Sequence, residues 1–177
     1  MSEEEPEKKG LVDTTQFLTF TLGDEVFAVD IERVREVLEY TQITRVPRTP
    51  EFMRGVINLR GNVVPVVDMR AKFHMSETEM TVNTCIIIVE AVQEEGERTV
   101  LGALADSVKE VMNLEPGQIE PPPKIGTKLR TEFIKGMGKQ DEQFIIILDT
   151  DAVFSRDELS AMLRSAGTEL APREEAA

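Results

Sequence analysis

Few residues in this sequence could do chemistry: one histidine, one cysteine and two aspartates that each end a predicted strand. His74 lies just past a strand, with no cysteine or carboxylate at a spacing typical of a metal site. Cys85 lies one residue into an apolar strand, where no basic neighbour would lower the pKa of its thiol. We therefore expect His74 to be a surface loop residue and Cys85 to be a small buried side chain.

Asp68 and Asp149 are stronger candidates for catalysis, because a pair of carboxylates can serve as acid and base in glycoside hydrolysis. Each, however, occupies the same position in its own half of the chain. A strand-end aspartate commonly accepts backbone N–H bonds in the following turn, and this one cause would explain both residues. The structural role is the favoured interpretation, and a small hydrolase is the alternative.

Motifs of the common enzyme classes are missing from the sequence. It contains no phosphate-binding GxxxxGKS/T, no GxSxG, no HExxH and no paired CxxC. We therefore predict that the chain is not an enzyme, has no catalytic or metal-binding residues and uses no cofactor.

Arg60 is the one charged residue in the otherwise apolar or neutral stretch GVINLRGNVVPVV, at a predicted hairpin corner. It could be an exposed turn arginine, since such charges are common and weakly stabilising. Alternatively, rigid strands could hold its planar guanidinium group in place, paired with a nearby acid such as Glu36 or with an acid of a partner. Gly55 and Gly61 on either side would let another backbone approach closely.

The composition limits the possible partners and compartment. The chain has 33 acidic and 20 basic residues and a formal charge of -13, which argues against nucleic acid as a partner. No apolar run approaches the roughly 20 residues that span a bilayer, and the acidic start lacks the features of a signal peptide. The single cysteine excludes an internal disulfide framework, so we expect a cytoplasmic location.

Alternating apolar residues and turn signals predict a mostly β chain. Asp30 is predicted to cap a short helix whose apolar positions are Ile31, Val34, Val37 and Leu38, and residues 50–54 are predicted to form one helical turn ended by Gly55. A C-terminal helix is predicted from Ser155. The predicted strands are 16–22, 25–29, 42–46, 56–60, 63–69, 84–92 and 99–104, with the fourth and fifth pairing across Gly61-Asn62.

The second half of the chain repeats the first. An offset of 74 matches residues 26–38 with 100–112, and an offset of 81 matches 51–56 with 132–137 and 62–73 with 143–154. Each copy is too small to bury a safe core alone, so we expect the two copies to share one. The symmetry is broken at Arg60, which aligns with Asp141.

The stretch GVINLRGNVVPVVD and its flanks resemble the CheW family of bacterial chemotaxis coupling proteins, and the similarity runs from about Gln16 to Leu163. The resemblance implies two tandem SH3-like five-stranded β-barrel subdomains with a shared core, short helices and a C-terminal helix. It implies subdomains at 15–82 and 83–167, while the acidic composition of the two ends, which are poor in apolar residues, predicts flexible tails at 1–14 and 168–177.

The resemblance also implies a function and a set of contact residues. Family members are adaptors that bridge the helical cytoplasmic tip of chemoreceptors to the regulatory domain of the CheA histidine kinase and help build receptor arrays. A cytoplasmic protein recruited to such arrays is expected, without membrane insertion or nucleic-acid binding. The implied partner-binding residues are Arg60, Glu36, Val34, Gly55, Gly61 and Val63, together with Cys85 and Ile86 on the strand that lines the receptor groove.

Overall fold

A computed structural model describes residues 14–76, 79–92, 96–121, 131–140 and 142–154. Residues 1–13 of the predicted acidic tail, the predicted helix from Ser155 and the predicted tail 168–177 lie outside the described residues.

The described chain is built mainly of β-strands, with two four-residue helices that each follow the last strand of a repeat. The strands are β1 (Thr15–Leu22), β2 (Glu25–Asp30), β3 (Val34–Glu39), β4 (Met53–Leu59), β5 (Asn62–Asp68), β6 (Cys85–Val92), β7 (Arg98–Ala105), β8 (Ser107–Leu114), β9 (Ile119–Glu120), β10 (Ile134–Gln140) and β11 (Gln143–Leu148). The helices are α1 (Met69–Lys72) and α2 (Thr150–Val153).

The strands form two sheets, and each sheet takes strands from both halves of the chain. The six-stranded sheet has the order β8-β1-β2-β11-β10-β9, and the five-stranded sheet has the order β3-β6-β7-β5-β4. Parallel pairs, β2 with β11 and β5 with β7, join a hairpin of one half to strands of the other. The sheets therefore cross the expected boundary near residue 82, and the division into subdomains 15–82 and 83–167 stays a prediction.

A shared apolar core lies between the sheets. Four phenylalanines cross it in a chain of ring contacts, Phe20 to Phe27 to Phe73 to Phe133, with centroids 5.8 to 6.0 Å apart. Each sheet also has a smaller apolar cluster on its other face. This cluster surrounds Phe17 in the six-stranded sheet and Ile86 in the five-stranded sheet. The mostly β fold with a shared core, predicted from the repeat, is confirmed.

The internal repeat is confirmed by the positions of its elements. Adding 81 to the bounds of β4 gives those of β10, and the same offset carries α1 onto α2. Phe52 and Phe133 are equivalent at this offset, and the buried Lys72 lies against both, with its Nζ 4.4 Å and 5.2 Å from the two ring centroids. A cation facing two rings in this way holds the two repeats together from inside.

The helix predicted after Asp30 was wrong. Asp30 does cap a helical turn, accepting a hydrogen bond from the Glu32 amide at 2.9 Å, but that turn covers only residues 31–33 and leads into β3. The spacing of its apolar residues fits a helix, but pairing with another strand overrides this local pattern. Pairing with β6 along one side stabilises β3 as an edge strand, and the β-branched Val34 and Val37 suit a strand.

The helical turn predicted at 50–54 is present but shorter: the Met53 amide donates to the Pro50 carbonyl at 2.9 Å, and β4, which contains Gly55, already begins at Met53. The extended segment predicted at 42–46 appears as a bridge, in which Thr44 and Val56 exchange two backbone hydrogen bonds of 2.8 Å. A Cβ on Gly55, whose φ is +149°, would overlap the carbonyl oxygen of Thr44. Gly55 therefore lets the backbone of Thr44, in the same chain, approach closely.

Replacing Gly55 with alanine should lower the free energy of unfolding by about 2–4 kcal/mol, since overlap with backbone adds to the strain of a positive φ. Urea denaturation followed by circular dichroism measures the change. Gly117→Ala is the matched control, because a Cβ there would meet open space. Equal stability of the two variants would contradict this account of Gly55.

Asp68 and Asp149 begin the two short helices, as the structural interpretation predicted. Asp68 accepts hydrogen bonds from the amides of Arg70 and Ala71, and its second oxygen lies 2.7 Å from Nη1 of Arg54. Asp149 accepts one from the amide of Ala152 at 3.2 Å. Asp68 is the more deeply buried carboxylate, so it carries the larger structural role.

Asp68→Ala should cost about 2–4 kcal/mol of stability, because it removes a helix cap together with a nearly buried ion-pair partner. Asp149→Ala should cost only about 1 kcal/mol, the usual contribution of a cap. Thermal and urea denaturation of both variants measure the difference. A ranking in the opposite order would contradict the assignment.

Candidate functional site

The hairpin that joins β4 to β5 carries Arg60 at its corner. Leu59 pairs with Asn62, so the two loop residues are Arg60 and Gly61, one position earlier than predicted. Their φ angles are +52° and +87°, which match the two-residue turn that suits a twisted hairpin. The Gly61 amide also donates to Oδ1 of Asn58 at 2.8 Å. An arginine is unusual at the first position, because side chains rarely adopt a positive φ.

The predicted pairing of Arg60 with Glu36 is confirmed. Both terminal nitrogens of Arg60 donate to Oε2 of Glu36, at 2.8 and 2.6 Å. The arginine side chain is 65% exposed and the glutamate 30% exposed. Such an exposed pair contributes little to stability, so its main physical effect is to orient the guanidinium.

Glu36 reaches Arg60 because its segment is a strand. Along β3, exposed positions alternate with partly buried ones, and Glu36 lies on the partly buried side. A register shift between Val34 and Glu36 interrupts the pairing with β6. As a result Val34 packs against the shared core, whereas Leu38 packs against the cluster of the five-stranded sheet. The bulge thus separates Val34 from the face that carries Glu36.

The other predicted contact residues fall into two groups. Val63 is 50% exposed and lines the same concave surface as Arg60 and Glu36, one residue into β5. Gly55 is buried, and Ile86 has no exposed surface. A contact between a partner and Ile86 is therefore not available in this structure, and Ile86 instead packs beneath the surface of the five-stranded sheet.

Cys85 is buried, as predicted from its apolar strand. Burial, together with the negative charge of Asp106, raises the pKa of the Cys85 thiol. A thiol with a raised pKa is a poor nucleophile near neutral pH. Cys85 therefore serves the core, and it lies at the end of β6 that pairs with Glu39 and Ala105.

Sequence reasoning missed two arginines on the same surface. Arg35 and Arg98 join Arg60 around a cavity of about 590 Å³ on the five-stranded sheet, and we call these three residues with their cavity the arginine cleft. Glu90 bridges two of them, with one oxygen 2.9 Å from Arg35 and the other 2.9 Å from Arg98. The one sequence clue was Glu90 itself, a charge inside the apolar run TCIIIVEAV.

The residues first considered for catalysis are not brought together. His74 is exposed in the segment after α1. Asp68 ends β5 of the five-stranded sheet and Asp149 follows β11 of the six-stranded sheet, and the cleft that includes Asp149 is not lined by Asp68. Among the described residues, no group of three or more histidines, cysteines or carboxylates could hold a metal ion, and no helix is long and apolar enough to cross a membrane.

Comparison with known proteins gives one consistent family. Residues 16–158 match the model of the CheW-like domain. The chemotaxis protein CheW of Klebsiella aerogenes is 38% identical over 145 residues, which cover 82% of this chain and 84% of that protein. A probable chemotaxis protein CheW of Rhizobium etli is 34% identical over 146 residues, covering 82% and 91%.

A solved structure agrees with these relatives. The scaffolding protein TtCheW from Thermoanaerobacter tengcongensis superposes with a TM-score of 0.72 at 35% identity, covering 81% of this chain and 90% of that one. The likeness supports the SH3-like architecture that the resemblance implied. Together with the matched domain, it shows that the chain belongs to the CheW family of chemotaxis adaptor proteins.

Proposed function

We propose that the chain is a coupling adaptor that holds the cytoplasmic tip of chemoreceptors and the regulatory domain of the CheA histidine kinase in one complex. Membership of the CheW family supports this role, and relatives of more than 30% identity bear chemotaxis names. The chain then acts in the cytoplasm and is recruited to receptor arrays by its partners. It works by binding and carries out no catalysis.

The observation that carries the proposal is the Arg60 corner. An arginine at a positive φ costs about 1 kcal/mol relative to glycine or asparagine, and its exposed ion pair returns a similar or smaller amount. Stability therefore gives no reason for an arginine at this position. Local strain at a surface side chain that is oriented by a second residue is typical of a binding site.

An exposed apolar side chain beside this corner supports partner contact. Val63, on β5 of the five-stranded sheet, is 50% exposed and lines the same concave surface as Arg60 and Glu36. An apolar centre with a charged rim is the usual composition of a protein interface. We propose that Arg60, Glu36, Gly61 and Val63 form the contact surface, whereas Val34, Gly55, Cys85 and Ile86 support it from below.

A helical receptor tip fits such a surface through its own apolar stripe, with charges at the edge setting the register. Individual contacts of this size are modest in affinity. Many adaptors arranged in one array would raise the effective concentration of each partner, so weak single contacts suffice.

Arg60→Asn should weaken binding to the receptor fragment or to the kinase regulatory domain by about tenfold, because a desolvated charged group at an interface is worth about 1.4 kcal/mol or more. The melting temperature should stay within a few degrees, since asparagine tolerates the positive φ while the exposed ion pair contributes little. Isothermal titration calorimetry and a thermal melt measure the two quantities.

Lys139→Asn is the matched control, because it removes an exposed positive charge beside the corresponding hairpin of the six-stranded sheet. It should bind both partners like the wild type. Unchanged binding of Arg60→Asn to both partners would contradict the assignment of the corner. A failure of the wild type to bind either partner at micromolar concentration would contradict the adaptor function itself.

A further inference from the structure

The arginine cleft is a concave surface of about 590 Å³ on the five-stranded sheet. Its three arginines come from three different places: Arg35 from β3, Arg60 from the β4–β5 turn and Arg98 from the start of β7. Their side chains are 54%, 65% and 64% exposed. Three guanidinium groups therefore converge on one cavity and face solvent.

The cleft is a prearranged site, because carboxylates below it hold the arginines. Glu90 is only 16% exposed and receives one bond from Arg35 and one from Arg98, each through Nη1. Each of these arginines keeps further N–H groups for a ligand, since a guanidinium has five donors. A side chain already held in position loses less entropy when it binds.

The floor of the cleft is apolar. Leu59, Val64, Ile88 and Val100 line it beneath the charged rim. A ligand of small ionic groups alone would leave this surface wet, whereas a polypeptide can place an apolar side chain on the floor and carboxylates at the rim. The combination favours a protein segment as the occupant.

The local charge is opposite to that of the whole chain. The three arginines and their two partners, Glu36 and Glu90, sum to +1 (three minus two), while the chain carries -13. An acidic partner is therefore repelled by most of the surface of this chain but attracted to the arginine cleft. Such a contrast orients the encounter and suppresses other docking positions.

The repeat shows that the fold does not require these arginines. At offset 81 Arg60 corresponds to Asp141, and at offset 74 Arg98 corresponds to Asp24. Only Arg35 keeps its sign, as Lys109. The positive rim therefore belongs to one sheet alone and reflects what that sheet binds.

We infer that the arginine cleft binds an acidic segment of a partner protein, with carboxylates on Arg35, Arg60 and Arg98 and an apolar side chain on the floor. This rests on the proposed adaptor function and gives the chemistry of the partner. Carboxylates match the planar fork of arginine, which can donate two parallel hydrogen bonds to each.

Titration of wild type, Arg35→Glu and Arg98→Glu with the purified kinase regulatory domain, and separately with the receptor cytoplasmic fragment, tests the inference. At low salt each substitution should weaken binding to one of these two proteins by about tenfold or more, because like charges then face each other across the interface. The loss should shrink when salt rises from about 0.05 M to about 0.5 M, since screening shortens the Debye length.

Lys109→Glu is the matched control, because Lys109 is the exposed repeat counterpart of Arg35 on β8 and undergoes the same change of charge. It should bind both proteins within twofold of the wild type. Should a glutamate variant lose its native circular dichroism spectrum, Arg35→Gln and Arg98→Gln remove the positive charges without adding negative ones. Each glutamine variant should then give a smaller, salt-dependent loss.

Three results would overturn the inference. Arginine variants that bind both proteins like the wild type would overturn the inference but leave the proposed adaptor function unaffected. A loss confined to self-association of this chain would assign the cleft to a second copy. A wild type that binds neither protein would contradict the adaptor function, and the inference with it.

Discussion

The shared core between the two sheets is the constraint on which the rest of the structure depends. Phe20, Phe27, Phe73 and Phe133 are contributed by both halves of the chain and contact one another in sequence. Because β1 and β2 complete the sheet of the second half while β6 and β7 complete that of the first, neither repeat can be removed without opening the other. This interlocking supplies the rigidity that a binding protein needs at its surface.

Much of this architecture could be predicted because the repeat is visible in the residues. The offsets of 74 and 81 carry strands onto strands, and Asp68 onto Asp149 at the two helix caps. The segment after Asp30 could not be predicted correctly, because Val34, Val37 and Leu38 have helical spacing, whereas pairing with β6 makes the segment a strand. Tertiary contact, which a single sequence does not display, decided it.

The site was predictable in part for the same reason. Arg60 stood out as a lone charge in an apolar hairpin, and Glu36 was named as a candidate partner beside an acid of a binding protein, so the pair could be anticipated as one of the alternatives. Arg35 and Arg98 could not, because they lie far apart in the chain and meet only through Glu90, where β6 lies between β3 and β7. Ile86 was predicted on a contact strand, but strand membership does not tell which face of the sheet is covered.

The two sheets share a core but differ in the charged residues at their rims. We assign the binding function to the arginines at the rim of the five-stranded sheet. Co-sedimentation of the kinase with receptor-containing vesicles, with and without this chain, tests the adaptor role most directly. The account predicts that the kinase moves into the pellet when the chain is added and that an excess of free receptor fragment returns it to the supernatant. A kinase that partitions identically with and without the chain would contradict the account.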